Sequence, residues 1–282
     1  MKLKLLIVSL FASLGLMGAV GEPQAQYRPS LEDLATDKGV MDTDRCIARR
    51  DQTRSSISRC TYGKPGSKRT VVLIGDSHAL QYGPAMIRIA EKRGWRLIAL
   101  MRQSCVIADV NYEKVCNTWR KDAMRKITRR IRPDMVVLSN ATSGIYRVTR
   151  NGRELTRRKS QPYLERGMIR NLKRFRRAGA KVAVIQDQEI VPFGFEDCLA
   201  EKPKDECSFR RGKRNSRGPF DAIAARSVKG SVLIDPLPKL CPGGTCPVAI
   251  GNTIIYRDIY HLSATYAATL VPWLNRRLPN PG

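Results

Sequence analysis

The chain of 282 residues is 42% hydrophobic and only 6% aromatic, long enough for one large domain or two small ones. A single apolar run, Leu5 to Val20, could enter a bilayer, which excludes a protein of many membrane spans. The formal net charge of +26 points first to nucleic acid, but no groove-reading motif or aromatic-rich single-strand platform accompanies it, and nucleic acid is set aside as a partner.

Lys2 and Lys4 precede the apolar run, and Ala19-Val20-Gly21 or Ala25 supplies a small-residue cleavage site. Residues 1–25 therefore read as a secretory signal peptide, with an uncleaved N-terminal anchor as the alternative. Either way the chain is expected to be exported, to the periplasm or outside the cell. Residues 26–69 are polar and weakly patterned, with Pro29 and Pro65-Gly66 as breakers. They read as an extension that wraps the domain or as a remnant linker.

Val71-Val72-Leu73-Ile74 is a buried strand by composition, bounded by Gly75. A helix over 79–92 follows, with Leu80, Ile87 and Ala90 at helical spacing, and ends at Gly94. Further strands are expected at 95–101, 135–139, 181–185 and 231–234. Helices fall between them at 117–130, 163–177 and 220–228, and a last one covers the tail from Ser263 to Leu278. This alternation predicts an α/β fold over residues 70–282, a three-layer α/β/α sandwich around a parallel sheet of about five strands, flavodoxin-like. Right-handed crossovers place every strand's C-terminal end on one edge. The long loops 102–116, 140–160, 186–218 and 236–262 all leave from that edge, as a binding rim does.

Eight cysteines in an exported chain favour four disulfides. Eight can pair in many ways, but these fall into four local couples: Cys46 with Cys60, Cys105 with Cys116, Cys198 with Cys207, and Cys241 with Cys246. The absence of CxxC pairs and the presence of only two histidines speak against zinc.

Gly75-Asp76-Ser77-His78 places a serine where a strand turns sharply into a helix, lifted above the sheet edge beside helix N-terminal N–H groups. Neighbouring helical side chains diverge by about 100°, so His78 is poorly placed to reach the Ser77 hydroxyl. His261 comes from the same edge and opens the last helix. Asp258, three residues earlier, can reach back to Nδ1 of His261 and leave Nε2 free for the serine proton. Taken separately, Gly-Asp-Ser is a common turn or N-cap, Asp258 could pair with Arg257, and His261 could cap a helix. At the two ends of one α/β pattern they favour a Ser–His–Asp triad.

These residues resemble the SGNH/GDSL hydrolase superfamily, and more closely the SGNH domain fused to bacterial membrane acyltransferases of the acyltransferase-3 type. Cys60-Thr61-Tyr62-Gly63 before the serine is similar to the family's leading block. Cys241-Pro242-Gly243-Gly244-Thr245-Cys246, leading into Tyr256-Arg257-Asp258-Ile259-Tyr260-His261-Leu262-Ser263, resembles its closing block. The likeness covers about residues 45–275. It implies Ser77 as nucleophile, Asp258 as acid and His261 as base, with Asp76 structural. The superfamily's oxyanion donors are the serine's own N–H, a glycine after the second strand and an asparagine in a Gly-x-Asn-Asp block. Here Arg102-Gln103-Ser104-Cys105 has no glycine, and Ser139-Asn140-Ala141-Thr142 lacks the block. Asn140 stands in the matching place, and Ser104 could offer a backbone N–H.

The expected function is an exported serine esterase or O-acyltransferase acting on O-acyl esters, O-acetyl above all, of cell-surface glycans. The alternative is a catalytically silent, basic glycan- or wall-binding module on the same fold. Arg147, Arg150 and Arg153, with Arg157-Arg158-Lys159 and the run 210–214, are expected to hold an anionic polysaccharide or peptidoglycan. No cofactor is needed, the chain is expected to be a monomer, and a separate membrane acyltransferase that delivers acyl groups across the bilayer, as in the fused proteins, is a candidate partner.

Overall fold

A computed structural model describes residues 26–142, 146–212 and 218–281. The signal segment, together with Lys213 and Arg214 of the second basic run, lies outside the described residues. No helix among the described residues is long and apolar enough to cross a membrane.

The five expected strands are all present: β3 (Thr70–Gly75), β4 (Arg96–Arg102), β5 (Met135–Ser139), β6 (Lys181–Ile185) and β7 (Ser231–Ile234). Two short strands from the N-terminal segment precede them, β1 (Ile47–Ala48) and β2 (Thr61–Gly63). The order β1–β4–β3–β5–β6–β7 is parallel throughout, and β2 lies antiparallel on the same edge of β4. The sheet therefore has seven strands rather than about five. Residues 26–69 do not merely wrap the domain. The Cys46–Cys60 disulfide holds β1 and β2 at its edge.

The strands alternate faces, and each face meets helices. Val71 and Leu73 pack with Met86 and Ile89 of α2 (Gly83–Arg93). Tyr266 of α6 (Ala264–Thr269) and Leu274 of α7 (Val271–Arg277) join the same layer. Val72 and Ile74 face Trp119 of α3 (Lys114–Arg125), Leu172 of α4 (Arg157–Arg177) and Phe220 of α5 (Phe220–Ser227). Two apolar layers on one sheet make the three-layer sandwich.

The helix expected over 79–92 is two helices, α1 (Ser77–Leu80) and α2, separated at Gln81-Tyr82. The tail helix likewise breaks at Leu270, before Pro272, whose ring cannot continue the hydrogen-bond ladder. The helix expected from Tyr163 begins at Arg157, capped by the Thr156 side chain on the Lys159 N–H. Arg157, Arg158 and Lys159 thus stand on a helix turn rather than in a loop. Residues 149–154 of the same polar stretch form a small hairpin.

The chain leaves β3 for β4 on one side of it and reaches β5 on the other. Ser77 therefore sits at the topological switch point, where crossovers on opposite sides open a crevice beyond the strand ends. Gly75 makes the close approach possible: a Cβ there would lie 1.9 Å from the carbonyl oxygen of Ser139 on β5.

Candidate active site

Ser77 opens α1 and is partly exposed, while Asp76 beneath it is fully buried. Asp76 is the N-cap. Its Oδ1 accepts the His78 N–H at 2.8 Å. Its Oδ2 accepts the Ala141 N–H at 2.9 Å and the Tyr146 hydroxyl. One carboxylate thus ties the serine elbow to the loop after β5, a structural role.

His261 reaches Ser77 from a hairpin, Tyr256–Asp258 against His261–Leu262. Its Nε2 lies 2.8 Å from Ser77 Oγ. Its Nδ1 lies 2.8 and 2.9 Å from the two Asp258 oxygens. Asp258 also accepts the N–H groups of Tyr260 at 2.8 Å and His261 at 3.0 Å. Arg257, buried, donates to Asp258 at 3.2 Å, so pairing with Arg257 and orienting His261 coexist. Burial works against the Asp258 charge, but the His261 bond, the backbone donors and Arg257 outweigh it and hold the carboxyl well below its usual range. His261 is pushed below the ordinary imidazole value, first by burial, with nearby His78 and Arg257 opposing the pull of Asp258. A neutral imidazole with Nδ1–H on a carboxylate presents a free Nε2 lone pair to a serine hydroxyl. That arrangement can accept a proton and return it.

His78 points away from Ser77, as helical geometry requires. It is buried, and its Nδ1–H donates to Asp187 at 2.6 Å. Asp187 follows β6 in the polar run Gln186-Asp187-Gln188-Glu189 and takes the Thr142 N–H at 2.6 Å and its hydroxyl at 3.1 Å. Gln188 and Gln81 form a buried amide pair that also bonds the Tyr260 carbonyl and the Leu262 N–H. Sequence reasoning passed over Asp187, Gln188 and Gln81. The only available signal was an uninterrupted polar run directly after a buried strand.

Asn140 lies fully buried immediately after β5. Its Oδ1 accepts the Ile107 N–H at 3.2 Å, and its Nδ2 faces the Cys105 carbonyl at a long 3.5 Å. Ser104 sits in a turn after β4 with φ +50°, its hydroxyl accepting from Arg50 at 2.9 Å. The Cys105–Cys116 disulfide closes this loop, and the Cys198–Cys207 and Cys241–Cys246 couples are bonded as expected.

A cleft of about 650 Å³ runs past Thr142 and Asp187. Among the described residues, the arginines lining it are Arg157, Arg158 and Arg210. Arg147, Arg150 and Arg153 do not line it: Arg147 approaches Glu154 at 4.0 Å, and Arg150 stacks 5.0 Å over the Tyr163 ring. Arg153, exposed, belongs to the same small hairpin. Among the described residues no cluster of His, Cys, Asp and Glu could hold a metal ion.

A family model for the SGNH domain fused to AT3 domains matches residues 45–276. The fold is similar to the periplasmic domain of the lipopolysaccharide acetyltransferase of Salmonella serovar Paratyphi A, at 16% identity and a TM-score of 0.63, covering 89% of this chain and 98% of that one. A GDSL-like lipase of Bacteroides thetaiotaomicron matches at 11% identity and a TM-score of 0.43, over 86% of this chain and 98% of that one. No curated protein matches the chain.

Proposed function

Because the chain belongs to the family of SGNH domains fused to AT3 domains, we propose that it is an exported serine esterase or O-acyltransferase acting on O-acyl, chiefly O-acetyl, esters of anionic cell-surface glycans. The observation that carries this reading is the 2.8 Å contact between His261 Nε2 and Ser77 Oγ, with Asp258 on the opposite nitrogen. Export is supported by four disulfides, which persist in oxidising compartments. The cleft beside the site, with Arg157, Arg158 and Arg210, suits an acidic polymer.

In the proposed reaction Ser77 Oγ gives its proton to His261 Nε2 and attacks the ester carbonyl carbon. Asp258 steadies the imidazolium that forms. The carbonyl oxygen becomes an oxyanion, with the Ser77 backbone N–H as first donor and the second proton of Asn140 Nδ2 as another. His261 then protonates the departing alkoxide, and the acyl group stays on Ser77. Water, or a glycan hydroxyl, next gives its proton to His261 and attacks the acyl carbon, and Ser77 recovers its proton. An AT3-type membrane acyltransferase is the proposed source of acyl groups.

Hydrolysis of p-nitrophenyl acetate by the oxidised protein, beside Ser77→Ala and His261→Ala, tests the reading. Turnover lost in both variants is the expected result. Turnover unaffected by either, or no turnover together with no fluorophosphonate labelling of Ser77, would overturn it in favour of a binding module.

A further inference from the structure

The chain has two histidines, and the proposed reaction uses one of them. The other, His78, is buried, and its ring is turned from Ser77 towards Asp187, with which it bonds at 2.6 Å. It nevertheless lies beside the reaction: its ring centre is 4.9 Å from that of His261, tilted by 55°. Its partner Asp187 is 2% exposed and held by two donors of Thr142. Burial opposes a charge on either group, yet their mutual attraction wins, pushing His78 up to about 9 and Asp187 below the usual carboxylate value. A buried ion pair of this kind adds little net stability compared with apolar packing. What it supplies here is a fixed cation and a rigid joint between the serine elbow and two rim loops.

We propose that the His78–Asp187 pair is a positioning device for the Ser77–His261 reaction: it clamps the elbow to the Thr142 loop and sets a buried positive charge beside the base, so that His261 stays ready to take the serine proton in mildly acid surroundings. The inference rests on reading Ser77 and His261 as nucleophile and base. The groups facing His261 are Asp258, Arg257, His78 and the Tyr260 ring; those facing His78 are Asp187, Asp76, Asp258 and His261. Tyr82 and Tyr146 stand near Asp187 and stay neutral, raised well above the ordinary phenol value by burial and by surrounding carboxylates. Like charges about 5 Å apart disfavour each other enough to move an imidazole titration on the order of one to two pH units.

The test is imidazole ¹⁵N NMR over a pH titration of the full protein, alongside the pH profile of kcat/KM on p-nitrophenyl acetate. With only two histidines, both rings can be followed without relying on activity. In the wild type His78 stays protonated while His261 titrates. In His78→Gln the His261 titration and the acid limb of the profile move upward together, by on the order of one pH unit. Asp187→Asn, in which His78 loses its counter-ion and its charge near neutrality, shifts both in the same direction and serves if His78→Gln does not fold. A wild-type His78 that is neutral near pH 7 would overturn the proposal. So would variants that lose rate with an unmoved acid limb, because a purely structural joint lowers kcat alone. Wild-type protein that shows the NMR coupling but hydrolyses no ester would instead sink the esterase reading and leave the charge arrangement standing.

Discussion

The side-chain amides of Gln81 and Gln188 bond each other at 2.8 and 3.2 Å beneath the hairpin that carries His261. Gln81 Oε1 also accepts the Leu262 N–H at 2.9 Å, and Gln188 donates to the Tyr260 carbonyl at 2.6 Å. Through these bonds the break between α1 and α2 fixes the height of His261 above Ser77. Gln81→Ala leaves a buried backbone donor unpaired, at about 1–3 kcal/mol of stability. It also frees His261 to drift, and a shift of about 1 Å costs around 10²-fold. Steady-state kinetics and a thermal melt should show a lower kcat with little change in KM. An unchanged kcat would mean that Asp258 alone sets the hairpin.

Within the proposed triad, Asp258→Asn should keep the fold and lower kcat by about 10⁴, through loss of the correct imidazole tautomer. Fluorophosphonate labelling of Ser77 should slow in parallel, since the probe needs the same activated hydroxyl. Fast labelling of an inactive Asp258→Asn protein would place the defect in a later step.

Asn140→Ala tests the second oxyanion donor. A loss of about 10²–10³ in kcat is expected if its amide meets the developing charge. The loop that holds it is closed by Cys105–Cys116, and replacing both cysteines by alanine should cost about 2–4 kcal/mol. That double variant should lose rate even at temperatures where circular dichroism shows it folded, because Ile107 and Cys105 position the Asn140 amide. Full rate in Asn140→Ala would remove it from the mechanism.

Stability should depend on pH through the His78–Asp187 pair. The folded His78 value of about 9 lies above its unfolded value of about 6.5. The contribution of its charge is therefore complete below about pH 6.5 and is lost as pH rises through about 9. Asp187 has the opposite sign: its value is lowered, so its contribution is present above the unfolded carboxylate value and lost on acidification through the folded one. The gap in melting temperature between wild type and His78→Gln should be widest between these limits and narrow above about pH 9. Removing one partner of a buried pair typically costs about 3–5 kcal/mol. A gap that stays constant into alkali would show that His78 is not held as a cation.

Reversing Arg157, Arg158 and Arg210 to glutamate should weaken binding of an acidic polysaccharide and flatten its salt dependence, while p-nitrophenyl acetate turnover stays within a few-fold. The same change at Arg150 and Arg153 should do less, because those residues do not line the cleft. Affinity chromatography at stepped ionic strength separates the two sets.

Part of this was readable from the chain because several of the relationships are local. Continuous short Val, Leu and Ile runs bounded by turn signals fit buried strands, and their alternation with amphipathic segments predicts a parallel sheet with one loop-rich edge. Asp258 and His261 are three residues apart, within one turn of backbone, and each disulfide joins cysteines no more than 14 residues apart. The two edge strands were not legible: Ile47–Ala48 and Thr61–Gly63 are too short to carry a pattern and exist only because β4 offers an unpaired edge. Nor was the work of His78. Its separation from Asp187 is 109 residues, and only the strand order β3–β5–β6 brings the two loops together. A buried charge is decided by whichever counter-charge the tertiary fold delivers to it, and nothing in its own neighbourhood along the chain announces that partner.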